Sequence, residues 1–274
     1  MPFAINNGVR LSWQERGTGT PVVLVMGHRY SSALWYPILD ALVARHRVIW
    51  FDNRGVGDSG MTRKTEIRDY VDDTLAVMDA AGVPRAHVFG VSMGGGIVLD
   101  LAVNHPGRVV SMILGCTCIK SPDKPSAPGW MRALYFLPPF VLKALVKALN
   151  RNPIANNGYG SATAPEAVAR DMDVLAKDPF SVPGVYAQAT AIANYSLPLE
   201  TAAKVTIPAL VMHGDEDGTV PYAWGVELAE TLPNAELVTL EGAGHNYMVA
   251  SPVKSEAAIL DFLRRMDARA EASA

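Results

Sequence analysis

The chain has 274 residues, with 24 Lys and Arg against 27 Asp and Glu and a formal net charge of −3. Hydrophobic residues make up 49% and charged residues 19%; this excludes a disordered chain, and the lack of a basic excess excludes an electrostatic footprint for nucleic acid or an anionic membrane surface. The length fits one large α/β domain carrying an insertion, or two small domains.

Met1 to Val9 lacks the charged start and apolar run of a secretory signal, and no apolar run approaches the roughly 20 residues of a membrane span. A cytoplasmic protein is the expectation. Short β-branched runs then alternate with amphipathic stretches. Strands are predicted at Val9–Trp13, Val22–Met26, Val48–Phe51, His87–Val91, Val109–Leu114, Ala209–His213 and Glu236–Leu240. Helices are predicted at Ser32–Ala44, Thr65–Ala81, Met93–Asn104, Tyr222–Thr231 and Pro252–Met266, with the end fraying from Asp267. In the second helix Ile67, Tyr70, Val71, Leu75 and Met78 fall at helical spacing, and Gly82 with Pro84 stops it. This rhythm predicts an α/β fold with a mostly parallel, doubly wound sheet.

Between about Ile119 and Ala203 the rhythm breaks. Pro122, Pro125, Pro128, Pro138 and Pro139 punctuate apolar helical pieces at Trp130–Leu137, Val141–Leu149, Pro165–Ala176 and Pro183–Tyr195. Trp130, Met131, Tyr135, Phe136, Phe140, Phe180 and Tyr186 make this an apolar helical insertion. Cys116 and Cys118, two apart in an apolar run, form neither a disulfide framework nor a metal pattern and read as reduced core thiols.

The string His87-Val88-Phe89-Gly90-Val91-Ser92-Met93-Gly94-Gly95-Gly96 is a strand running through Gly-x-Ser-x-Gly into a helix. So sharp a turn needs Gly90 and Gly94 beside it, and it lifts the Ser92 hydroxyl above the sheet edge. A serine hydroxyl needs a base, and the base needs an orienting acid. Downstream, a buried strand ends in His213-Gly214-Asp215-Glu216-Asp217, and another ends in Gly242-Ala243-Gly244-His245. All three groups thus fall at C-terminal strand ends, where open α/β sheets build their sites. His213, His46, His87 and His105 read as packing or surface residues. Gly55-x-Gly57-x-x-Gly60 matches a dinucleotide fingerprint, but Met61-Thr62-Arg63-Lys64 follows instead of a helix, so it reads as a structural loop. No cofactor is expected, and Asp215, Asp217 and His213 are not expected to form a metal site.

Over nearly its whole length the chain resembles an α/β-hydrolase. The resemblance implies Asp217 as the acid, the last residue of Gly214-x-x-Asp217, with Asp215 and Glu216 the nearby alternatives and Asp215 assigned to the turn. It implies His245 as the base, and backbone N–H groups of His28 and Met93 as the oxyanion hole. It also implies a core of residues 1–118 and 204–274, with 119–203 as a helical cap inserted after the sixth strand. Asp52-Asn53-Arg54-Gly55-Val56-Gly57-Asp58-Ser59 is similar to the family's Asp-x-Arg-Gly-x-Gly-x-Ser loop. Relatives usually carry His-Gly after the strand at Val22, whereas Met26-Gly27-His28 stands here; this leaves open how the loop is held and whether the His28 side chain faces substrate. The expected activity is a serine esterase or lactonase acting on a small to medium, partly apolar molecule, as a monomer or homodimer. The alternatives are C–C bond hydrolysis, cofactor-free perhydrolysis, or a ligand-binding receptor on the same fold.

Overall fold

The computed structural model describes residues 1–62, 64–120, 141, 158–179 and 181–272. Strands β1 (Phe3–Asn6), β2 (Val9–Arg16), β3 (Pro21–Val25), β4 (Arg47–Phe51), β5 (Ala86–Val91), β6 (Val109–Gly115), β7 (Ala209–Gly214) and β8 (Ala235–Leu240) form one sheet in the order β1-β2-β4-β3-β5-β6-β7-β8. β1 and β2 run antiparallel to their neighbours, and β4 through β8 pair in parallel with β3 among them.

The interior strands read as continuous apolar runs because helices cover both faces. Alternate side chains go to opposite layers. Val23, Val25, Ile49 and Val88 pack with Tyr70, Val71 and Met78 of α2 (Ile67–Ala80) and Ile97, Val98 and Leu101 of α3 (Met93–Asn104). Val22, Leu24, Val48 and Phe89 pack on the other face with Leu42 of α1 (Leu39–Val43) and with Ile259, Phe262 and Leu263 near the C-terminus. The remaining helices are α4 (Pro165–Lys177), α5 (Val182–Asn194), α6 (Leu199–Ala202), α7 (Tyr222–Thr231), α8 (Tyr247–Ala250) and α9 (Pro252–Glu271).

Four features depart from the sequence reading. β1 is an additional strand, joined to β2 by Asn7-Gly8, both at positive φ, the combination a two-residue type I′ hairpin requires. The helix expected over Ser32–Ala44 divides into a 3₁₀ turn at Ser32–Trp35 and α1, because Pro37 has no N–H to continue the ladder. α9 does not fray from Asp267 but continues to Glu271, since the Asp267 carboxylate is fixed by His87 Nε2 at 3.1 Å and His46 Nε2 at 3.2 Å. Cys118 is half-buried rather than part of the core. The helical pieces expected at Trp130–Leu137 and Val141–Leu149, and Phe180, lie outside the described residues apart from residue 141. No helix of the described residues is long and apolar enough to cross a membrane.

The Asp52–Gly60 loop is a tie between elements. The Asp52 carboxylate accepts from Ser32 N–H, Ser32 Oγ and Asp58 N–H at 2.7–2.9 Å. Arg54 forks onto Asp73 of α2 with two bonds of 2.6 Å, both side chains buried. No helix opens at Gly60; the next begins at Ile67, so the glycine pattern serves the loop.

Candidate active site

Ser92 sits between β5 and α3 at φ 54°, ψ −120°, a conformation that costs an L residue about 1–3 kcal/mol and persists only where the surroundings over-determine it. Its N–H donates to Gly115 O at 2.8 Å, and its carbonyl accepts from Thr117 Oγ1 at 2.8 Å and Gly95 N–H at 3.0 Å. The flanking glycines are sterically required: a Cβ at Gly90 would stand 2.2 Å from Gly94 O, and one at Gly94 would stand 2.0 Å from Val25 O. The same compression brings Gly27 against the Ser92 side chain, where a Cβ would lie 3.2 Å from Ser92 Cβ. The N–H groups of His28 and Met93 enter no hydrogen bond among the described residues. Met93 heads α3, where the N–H has no intrahelical acceptor.

The three acids after β7 separate cleanly. Asp217 is wholly buried in its side chain; Oδ1 accepts from Thr219 and Val220 N–H at 2.7 and 2.9 Å, and Oδ2 accepts from His245 Nδ1 at 2.8 Å. Asp215 instead holds the turn by accepting from Gly242 N–H at 2.7 Å, and Glu216 accepts from Ser161 N–H and Oγ at the surface. Burial works against the Asp217 carboxylate, but the His245 charge and the bonds from His213, His245 and Val220 overcome it and hold Asp217 far below the usual carboxylate range. Burial likewise opposes the His245 imidazolium, but the Cys116 thiol and Asp217 beside it prevail and raise His245 well above the ordinary histidine value. Because Nδ1–H is donated to Asp217, Nε2 is the nitrogen left bare when the ring is neutral.

Ser92, Cys116 and His245 line one cavity of about 320 Å³ with Met26, His28, Arg29, Val91, Val185, Tyr186, Tyr247 and Met248. Its walls are mostly apolar, and Leu175 of α4 and Val185 and Tyr186 of α5 contribute to them. His28 answers the question its position raised: Nε2–H donates to Val185 O of α5 at 3.0 Å, and the ring also lines the cavity. Burial brings its pKa down to about 4, against the opposing bond to Val185, so the ring is neutral. With methionine at position 26, the loop is held through its backbone instead: Asn53 Nδ2 donates to Met26 O at 2.8 Å, and Arg29 N–H, at φ 80°, donates to Gln188 Oε1 at 2.7 Å.

Sequence reasoning missed several groups that shape this cavity. Asp171 of α4, 1% exposed, accepts from Tyr36 and Tyr159 hydroxyls at 2.8 and 2.7 Å and forms part of the wall. Gln188 is fully buried and donates from Nε2 to Arg54 O at 3.0 Å. Neither stands in a motif; only three-dimensional proximity reveals them. Cys116 carried a signal, its place at the C-terminal end of a strand. Among the described residues, Cys116, Asp217 and His245 form the one group of His, Cys and acidic side chains dense enough for a cation, with ligating atoms within 4.8 Å of one another. There Asp217 already accepts from Thr219, Val220 and His245, with His213 Nε2 at 3.2 Å from Oδ2.

Comparison with known proteins agrees with this architecture. The protein named "Putative carbamate hydrolase RutD" from Variovorax paradoxus is 32% identical over 91% of this chain and 94% of its own. The crystal structure of an enol-lactonase from Burkholderia xenovorans superposes with a TM-score of 0.75 at 26% identity, covering 96% of this chain and 100% of that one. The protein named "Putative non-heme bromoperoxidase BpoC" from Mycobacterium tuberculosis superposes with a TM-score of 0.78 at 28% identity over 96% and 97% of the two chains. Residues 20–250 match the alpha/beta hydrolase fold family along their whole extent, and the chain belongs to it.

Proposed function

We propose that the protein is a serine hydrolase cleaving carboxylic esters or lactones of small, partly apolar molecules. The observation that carries this reading is the strained Ser92 in the same cavity as an imidazole whose far nitrogen is bonded to a buried carboxylate. In this mechanism His245 Nε2 takes the Ser92 proton as Oγ attacks the carbonyl. The N–H groups of His28 and Met93 hold the oxyanion. Asp217 orients the ring and stabilises the imidazolium. The His245 proton then passes to the leaving oxygen, and water releases the acyl group by the same route. Carbamate and lactone cleavage in the names of the relatives supports acyl chemistry of this kind, and the cavity of about 320 Å³ suits a small substrate. Residues 119–203 act as the cap of this site, and α4, α5 and α6 belong to its described part.

Hydrolysis of p-nitrophenyl esters of increasing chain length, several lactones and an aryl carbamate tests the assignment. Ser92→Ala is expected to lower turnover by about 10³-fold or more with an unchanged circular dichroism spectrum. Turnover that survives this substitution would remove Ser92 from the mechanism. The bromoperoxidase name of one relative motivates including hydrogen peroxide as an alternative to water in the deacylation step.

A further inference from the structure

Only the backbone N–H of His28 enters the steps above, yet its side chain is also held in one defined state. Nε2 lies 3.0 Å from Val185 O. A carbonyl oxygen only accepts, so Nε2 carries the hydrogen. Burial lowers the pKa of the ring to about 4, against the Val185 bond and with the Arg29 charge assisting. At neutral pH the ring therefore has no second N–H, and Nδ1 is a bare lone pair. Among the described residues Nδ1 has no hydrogen-bond partner, and unlike Nδ1 of His46 and His213 it is not sealed in the interior. His28 is half-buried and lines the cavity that holds Ser92 and His245. The cavity wall thus carries a hydrogen-bond acceptor that the protein leaves unused.

Covalent geometry limits what this acceptor can read. The backbone nitrogen and Nδ1 of one histidine are joined through Cα, Cβ and Cγ, so they stand at most about 5 Å apart. A substrate carbonyl oxygen accepting from the His28 N–H therefore brings only its nearest atoms within reach of Nδ1. The N–H of a secondary carbamate points away from its own carbonyl oxygen. A hydroxyl on the carbon next to the carbonyl lies on the same side, with the two oxygens roughly 3 Å apart. We propose that His28 Nδ1 is a specificity-determining acceptor and that the substrates are esters of small 2-hydroxy acids, whose 2-hydroxyl donates to Nδ1 while the carbonyl oxygen accepts from the N–H groups of His28 and Met93. The substrate class rests on the proposed function; the protonation state and openness of Nδ1 do not. An ester lacking the hydroxyl would strip Nδ1 of water without replacing the bond, and that penalty is the basis of discrimination.

The test compares ethyl glycolate with ethyl propanoate, which has the same number of heavy atoms, and with ethyl methoxyacetate, in which the hydroxyl is capped. Each kcat/KM is divided by the rate at which hydroxide alone cleaves that ester, which removes intrinsic reactivity. The full chain is expected to prefer the glycolate ester about tenfold or more over both. Two substitutions separate the acceptor from the tie to α5. His28→Gln keeps a donor for Val185 O but has no acceptor at the Nδ1 position, so the preference should fall to about twofold or less. His28→Asn puts Oδ1 where Nδ1 stood and gives up the Val185 bond, and it should retain the preference whatever its absolute rate. Equal use of the three esters by the unsubstituted protein, or an undiminished preference in His28→Gln, would overturn the proposal. If neither variant folds, the unsubstituted protein's ratio decides. Ring-nitrogen NMR of Ser92→Ala reads the acceptor without turnover: His28 Nδ1 should resonate as an unprotonated nitrogen and move upfield with ethyl glycolate but not with ethyl propanoate. A protonated Nδ1, or one that ignores the glycolate ester, defeats the acceptor. Absence of Ser92-dependent hydrolysis of all three esters defeats the proposed function, and the Nδ1 resonance still judges the acceptor.

Discussion

At His245, two neighbours act on a single proton. Hydrolysis by the proposed route requires the neutral ring, and Cys116 and Asp217 hold its pKa well above 6.5 against the effect of burial. Activity is therefore expected to rise with pH through a value above 6.5, later than an unperturbed histidine would give. Replacing Cys116 by Ala removes one of the two raising influences, so the acid limb of kcat/KM should move to lower pH; a limb that stays in place would leave Asp217 as the whole cause. His28 behaves in the opposite sense. Its folded pKa of about 4 lies below its unfolded value, so it contributes nothing to the loss of stability above pH 6.5 and a growing loss as pH falls from 6.5 towards 4. In urea titrations at pH 7 and pH 4.5, His28→Asn should narrow the gap between the two midpoints. Ser92 and His245 were legible in the sequence because glycines mark the turns that present them. Cys116 was legible only by its place at a strand end; its left-handed φ of 39° is a product of the packing around β6.

Between the elements, helix α5 is fastened at two points to the loop after β3 and at a third to the loop after β4. His28 Nε2 bonds Val185 O, Arg29 N–H bonds Gln188 Oε1, and the Gly55 and Gly184 backbones touch so closely that a Cβ on Gly184 would lie 2.0 Å from Gly55 O. Arg29 at φ 80° is a non-glycine residue held in a costly conformation, and Gln188 supplies its hydrogen-bond acceptor. Gln188→Ala should therefore release the strand-to-loop backbone that carries the His28 N–H. We expect kcat to fall about 10- to 100-fold with a smaller change in KM, less than the roughly 10²–10³-fold cost of removing one oxyanion donor outright, because the His28 N–H is displaced and not lost. Steady-state kinetics on one ester check this; a change confined to KM would make Gln188 a binding residue only. Helices α2, α3, α7 and the strands β3 to β8 were legible because burial on one stripe or both faces leaves a period in the sequence. The α5 clamp was not, since it depends on one polar side chain inside an apolar helix. The extra β1 hairpin did carry a readable Asn-Gly signal.

For the molecule as a whole, the Arg54–Asp73 fork ties the loop after β4 to α2 with both side chains buried, at 3% and 0% exposure. Asp73→Ala would leave the guanidinium without its main partner inside the protein. The expected cost is about 3–5 kcal/mol, read from the urea midpoint, and a smaller loss would mean that Asp69, 3.7 Å from Arg54, takes over. The sheet order has a further consequence, for the path by which the protein becomes active. β6 pairs with β7 across the whole span between Gly115 and Ala209, and closing a loop of about 100 residues costs roughly 4 kcal/mol of chain entropy before any contact repays it. Ser92, Gly27 and Met93 can settle within the earlier, more local pairings of β3, β5 and β6. Asp217 and His245 arrive only with β7 and β8, so the half-assembled molecule would present a strained serine without a base and would be chemically silent until the last two strands dock.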